Sequence, residues 1–147
     1  MRKKIYSAML VALTASVSLS SLAYVDADCD PETTFCIFIQ GDSSLKTEID
    51  VQSSLKLSLR QSDLEYPEHA LIKANFFKVV GLPASFIKDA KITDINFNIT
   101  AINNQPISHC HISTQVNKLI KPTFHIITLS ETHDQNQEEV QYHCTVN

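Results

Sequence analysis

Four cysteines and six histidines are the residues of this 147-residue chain whose types and spacing could do chemistry. Cys29, Cys36, Cys110 and Cys144 form an even set in a small chain, the pattern of a disulfide framework. Cys29–Cys36 with Cys110–Cys144 is the preferred pairing. The first pair brackets the turn-like run Asp30-Pro31-Glu32-Thr33-Thr34, and the second ties the last extended segment to an earlier one across 34 positions. A thiolate metal site is the competing chemistry, but there is no C-x2-C pair and exported thiols oxidise.

The histidines carry the second chemical option. In the segment Ile107–Ser113, Cys110 and Ile112 alternate with His109 and His111, so a strand would put thiol and imidazole on opposite faces. The last segment repeats the arrangement, with Tyr142, Cys144 and Val146 on one face and His143 on the other. If Cys110 and Cys144 join strands lying side by side, His109, His111 and His143 converge on one outer surface and could hold Zn²⁺ or Cu²⁺, with His125 as a further ligand. If the bond crosses the core between facing sheets, the same histidines stand on opposite surfaces. Solvated polar side chains and no cofactor are therefore the leading expectation, with Zn or Cu the alternative. The only methionines, Met1 and Met9, lie in the leader, which removes the soft sulfur ligands a Cu(I) carrier wants. His69 and His133 read as isolated residues.

Catalytic signatures are missing. The chain holds no G-x-S-x-G, no phosphate-binding glycine loop and no H-E-x-x-H, and Gly41 and Gly81 are its only glycines. The carboxylate pairs Asp63/Glu65 and Glu138/Glu139 read as solvated charges. The expectation is a protein that is not an enzyme.

The N-terminus reads as a bacterial-type secretory signal. Arg2, Lys3 and Lys4 precede a Ser- and Thr-diluted apolar run from Ile5 to about Leu22, and cleavage fits after Ala23 or, preferably, after Ala27. Residues 1–27 are then a cleavable signal and 28–147 a single exported domain, periplasmic or secreted. Its removal leaves 9 basic against 15 acidic residues, a net charge of −6. With no Lys/Arg cluster after residue 4, nucleic acid is excluded as a partner, as is stable membrane insertion once the signal is gone.

The elements that must position these residues are mostly strands. From Leu45 to Arg60 the odd positions are largely apolar and the even positions polar, a period-2 pattern with one wet face. Its length calls for a bend or bulge near Gln52-Ser53-Ser54. Phe35–Gln40, Ile95–Thr100, Ile107–Ser113, Thr123–Ser130 and Val140–Val146 read as further strands. Asn103-Asn104-Gln105-Pro106 reads as a turn and Glu131–Glu139 as a polar loop. Over 67–80 the spacing favours a helix, opened by Pro67 and Glu68 and stopped by Gly81 and Pro83, although Phe76-Phe77 and Val79-Val80 also fit a buried strand. Ser113–Ile120 reads as a second short helical turn.

Short alternating strands with disulfide stapling predict an antiparallel β-sandwich of immunoglobulin-like architecture with at most one or two short helices. A small open β-barrel is the alternative. The function expected of such a chain is a non-catalytic binding or interaction module that meets a protein partner in the cell envelope or extracellular space. A periplasmic or secreted metal-binding protein and an inhibitor of a secreted enzyme are the alternatives. Phe76, Phe77, Leu82 and Phe86 lie in a segment with more large apolar side chains than one element normally buries, which makes them the expected partner-contact residues. The acidic loop Asp28–Glu32 is a secondary candidate for a basic partner.

Overall fold

The computed structural model describes residue 29 and residues 33–118, 123–136 and 138–147. The expected signal peptide, its cleavage sites and most of the acidic loop lie outside the described residues. Two sheets pack face to face. One has the order β4-β1-β8-β9, built from β1 (Thr33–Gly41), β4 (Phe77–Pro83), β8 (Thr123–His133) and β9 (Val140–Val146). The other has the order β3-β2-β5-β6, from β2 (Ile49–Ser58), β3 (Asp63–Ile72), β5 (Asp94–Ile102) and β6 (Gln105–Pro106), with β7 (His111–Gln115) also paired to β5. They are called the β1 sheet and the β2 sheet below. The arrangement is a mainly β sandwich with one short helix, α1 (Ala84–Asp89), and it does not close into a barrel.

The alternation read from the sequence is what builds the core. Ile49, Val51, Leu55 and Leu57 of β2 face inward with Ile95, Phe97 and Ile99 of β5, against Phe35, Ile37, Ile39, Ile127 and Leu129 of the other sheet. Burying such side chains contributes roughly 1.5–3 kcal/mol each. The expected irregularity falls between Gln52 and Ser53 in the pairing with β5, where Thr100 is the extra residue on the partner strand and its Oγ1 donates to the Gln52 carbonyl at 3.2 Å. The strand itself is shorter than the pattern, because Leu45 is buried from a loop rather than from β2.

Several expectations are corrected. Residues 67–80 form no helix: they belong to β3 and β4 and the turn between them. Pro67 is tolerated because β3 is an edge strand, whose outer side needs no ladder N–H at that position. Gly41 makes the β3–β4 turn possible, since a Cβ there would sit 2.5 Å from the Lys73 carbonyl oxygen, and its own N–H and C=O pair with Phe76 and Asn75. Glu131, Thr132 and His133 continue β8 instead of opening a loop. The segment 107–113 is broken, with His109 at φ 67° between β6 and β7. The second helical turn is reduced to a 3₁₀ turn at Val116–Lys118, after the end of β7.

Asn103 and Asn104 do form a turn, both with positive φ, as a two-residue hairpin of the primed type needs. The Asn103 side chain then does more than turn the chain. It accepts the Asp50 N–H at 2.7 Å and donates to the Tyr142 hydroxyl at 2.7 Å, linking β2, β5 and β9. Asn103→Ala is expected to cost about 2 kcal/mol, from the strained backbone and the lost bonds, and Asn103→Gly about half of that. Equal urea midpoints for the two variants would show that the side-chain bonds, and not the backbone, carry the effect.

Candidate functional site

The cysteines pair as expected, Cys29–Cys36 and Cys110–Cys144, and no cysteine is free among the described residues. Cys110 precedes β7 at one edge of the β2 sheet and Cys144 lies on β9 at the corresponding edge of the β1 sheet. The bond therefore joins facing sheets. On the opposite side of the sandwich the edge strands β3 and β4 are linked by the Glu68–Lys78 ion pair at 3.7 Å, and burial pushes the Glu68 carboxyl above its usual value.

This placement separates the histidines. His109 and His111 are exposed on the β2-sheet side, whereas His143 is exposed on the β1 sheet, where its Nε2 lies 2.8 Å from Thr132 Oγ1. The three do not come together. Among the described residues no group of three or more His, Cys, Asp or Glu side chains is disposed to hold a metal ion. The carboxylates read as solvated behave so in part: Asp63 pairs with Lys56 at 2.9 Å, which holds its carboxyl below the ordinary range, and Glu65 accepts the Ser54 hydroxyl.

His125 points the other way. It shares the inner face of β8 with Ile127 and Leu129, its ring 5.6 Å from that of Phe35, and its buried Nε2 has no hydrogen-bond partner among the described residues. Burial lowers its pKa from the ordinary 6.5, so the folded chain favours the neutral ring. Stability linked to His125 is present above pH 6.5 and is lost as pH falls through the lower folded-state value. In a His125→Phe variant the urea midpoint is expected to fall less than in the parent as pH drops below that range. Parallel pH profiles for the two proteins would show that His125 is not the group responsible.

One polar cluster escaped the sequence reading. The Glu131 side chain is only 2% exposed, and its Oε1 accepts the Lys46 N–H at 3.0 Å and faces His133 Nε2 at 2.8 Å. Ser44 Oγ accepts the Glu131 N–H and donates to Asp42. A serine, a histidine and two carboxylates thus meet, but each is spent on fixing loop 42–46 to β8, with the hydroxyl turned to Asp42 and the imidazole to Glu131. The only sequence signal is a charged residue at an inward parity of β8, in a run whose polarity reads as loop.

A cavity of about 450 Å³ opens beside α1, with Ile87, Ile92 and Val116 on its walls and Arg60, Lys88 and Lys91 among its lining residues. The cationic side chains make it hospitable to an anion, and no acid–base pair lines it.

The outer face of the β1 sheet holds the remaining feature. Inward positions of β1, β4 and β8 are core, so the alternate positions Phe38, Phe77, Val79, Phe124 and Ile126 face outward. Pairing of β1 with β8 and β4 places Phe38 opposite both Val79 and Ile126. The Phe38 ring lies 6.2 Å from Phe77 and 6.5 Å from Phe124, and Phe77 and Phe124 are 63% and 55% exposed. Buried Cys36, bonded to Cys29, continues the same face beside Gly81 and Phe124.

The expected contact residues divide accordingly. Phe77 is on this face and exposed Phe76 stands at its edge under the Lys73 ammonium, 4.1 Å from the ring centroid. Leu82 is core at 2% exposure, and Phe86 is half-buried, packing against the core from α1 and away from this face. Phe38, Phe124 and Ile126 were missed because their own strands gave no sign of which face would remain uncovered. No family model, curated protein or solved structure matches the chain.

Proposed function

We propose that the chain is an exported, non-catalytic interaction module of the cell envelope or extracellular space, which meets a protein partner through the outer face of its β1 sheet. The observation that carries this reading is the contiguous outward-facing set Phe38, Phe77, Phe124 and Ile126, in which half-buried Phe38 is flanked by exposed Phe77, Phe124 and Ile126. Soluble chains rarely leave several large aromatic side chains side by side in water without a use for them, because each forgoes the gain from burial. The disulfides support an oxidising extracellular or periplasmic compartment. No helix among the described residues is long and apolar enough to cross a membrane. The most crowded polar cluster, around Glu131, is used up in holding a loop, which supports a binding role over a catalytic one.

The test is photo-crosslinking in the producing cells. A benzophenone side chain at position 124 is expected to give adducts under ultraviolet light, whereas one at Asn98, on the outer face of the β2 sheet, gives none. Adducts from Asn98 alone, or from neither position, would overturn the assignment of this face.

A further inference from the structure

The partner on this face is the point at which charge decides. Resting on the proposed interaction role, we infer that the outer face of the β1 sheet is covered by a second copy of this chain, sheet against sheet about a two-fold axis. Outward positions of β1, β4, β8 and β9 among the described residues are filled by aromatic, aliphatic, Ser, Thr and Gln side chains, by His143, by Gly81 and by Cys36 in its disulfide with Cys29, with no Lys, Arg, Asp or Glu. The outer face of the β2 sheet differs sharply, carrying Asp50, Lys56, Asp63, Glu65 and Asp94. Both copies are acidic, at −4 for the whole sequence. Two like-charged bodies associate with least repulsion through faces that hold no charge, and a strongly charged partner would find nothing on this face to pair with.

Shape supports the same occupant. A sheet face with side chains in rows at period 2 packs onto another such face at about 10 Å, as the two sheets inside the chain do. A two-fold operation through Phe38 brings the aromatic cluster of one copy onto that of the other, so a single patch serves both partners. Strands spaced about 4.8 Å apart and running for about 30 Å give a footprint of roughly 570 Å² per copy, near the lower bound for a specific complex. An interface of this size belongs with the weak, reversible complexes.

Sedimentation velocity over a concentration series of the oxidised chain, purified with the N-terminus it carries after export, tests the inference. The expected result is a reversible monomer–dimer equilibrium that Phe77→Asp with Phe124→Asp weakens at least about tenfold, since a buried carboxylate would have no partner. Asn98→Asp, on the charged face, leaves it unchanged. The urea midpoint of each variant shows that the fold is intact. A parent chain that stays monomeric at millimolar concentration, or a dimer indifferent to the Phe77/Phe124 change, overturns the inference. Adducts from position 124 distinguish this failure from that of the interaction role: peptides of this chain support the dimer, and peptides of another protein overturn it while leaving the interaction role standing. No adduct together with no dimer defeats both.

Discussion

Replacing Cys110 and Cys144 by alanine is expected to lower the free energy of unfolding by about 4 kcal/mol, on the loop-closure entropy of a 34-residue separation. Replacing Cys29 and Cys36 is expected to cost nearer 2.5 kcal/mol, because that loop spans only 7 positions. The native state sharpens the contrast. Cys110 is fully buried in the core cluster and joins the edges of facing sheets, so its removal also leaves a void. Set against the ~5–15 kcal/mol that stabilises a typical domain, the first loss is a large share of the total. Urea denaturation of both double variants under identical conditions measures it, and equal midpoints would mean that loop length does not govern the difference.

The second large effect separates inside from outside among the phenylalanines. Phe97→Ala is expected to cost ~3–5 kcal/mol, since the ring is 2% exposed and its removal opens a cavity between the sheets. Phe124→Ala, on a ring more than half exposed, is expected to change stability by no more than about 0.5 kcal/mol. The second variant should instead weaken association. A loss of several kcal/mol on Phe124→Ala would show that this ring is buried in the isolated chain, and the exposed face would lose its main element.

Much of the fold was legible because β structure writes its burial directly into the chain. Alternation from Ile49 to Leu57 and from Ile95 to Ile99 gave both the strand type and the buried set, and the asparagines at 103 and 104 gave the turn. The disulfide pairing was legible for a different reason: Cys29 and Cys36 bracket a turn-like run, which leaves Cys110 and Cys144 to each other. Residues 67–80 misled because proline followed by helix formers is a local signal of helix start, whereas the edge position that lets Pro67 sit in a strand is a property of the whole sheet. Glu131 misleads because a charged residue signals loop locally, although a carboxylate can be buried where backbone N–H and imidazole meet it.

The candidate site was legible only in part. Phe76 and Phe77 were found as excess apolar residues, but in the same run Leu82 is core and Phe86 is half-buried against it. What the sequence determined by itself was local: strand periodicity, cysteine pairing, turn chemistry and an acidic balance. These follow from interactions between residues near in the chain or from composition, and the Cys110–Cys144 bond, across 34 positions, from the pairing left once Cys29 and Cys36 join. Only the tertiary structure decided which sheet each strand joined. That choice put His143 on a different sheet from His111, which His109 closely precedes, and so separated the imidazoles. It also laid β1 parallel to β8, a long-range pairing with no local signature, and so brought Phe38, Phe77 and Phe124 onto one face whose described strand positions carry no charge.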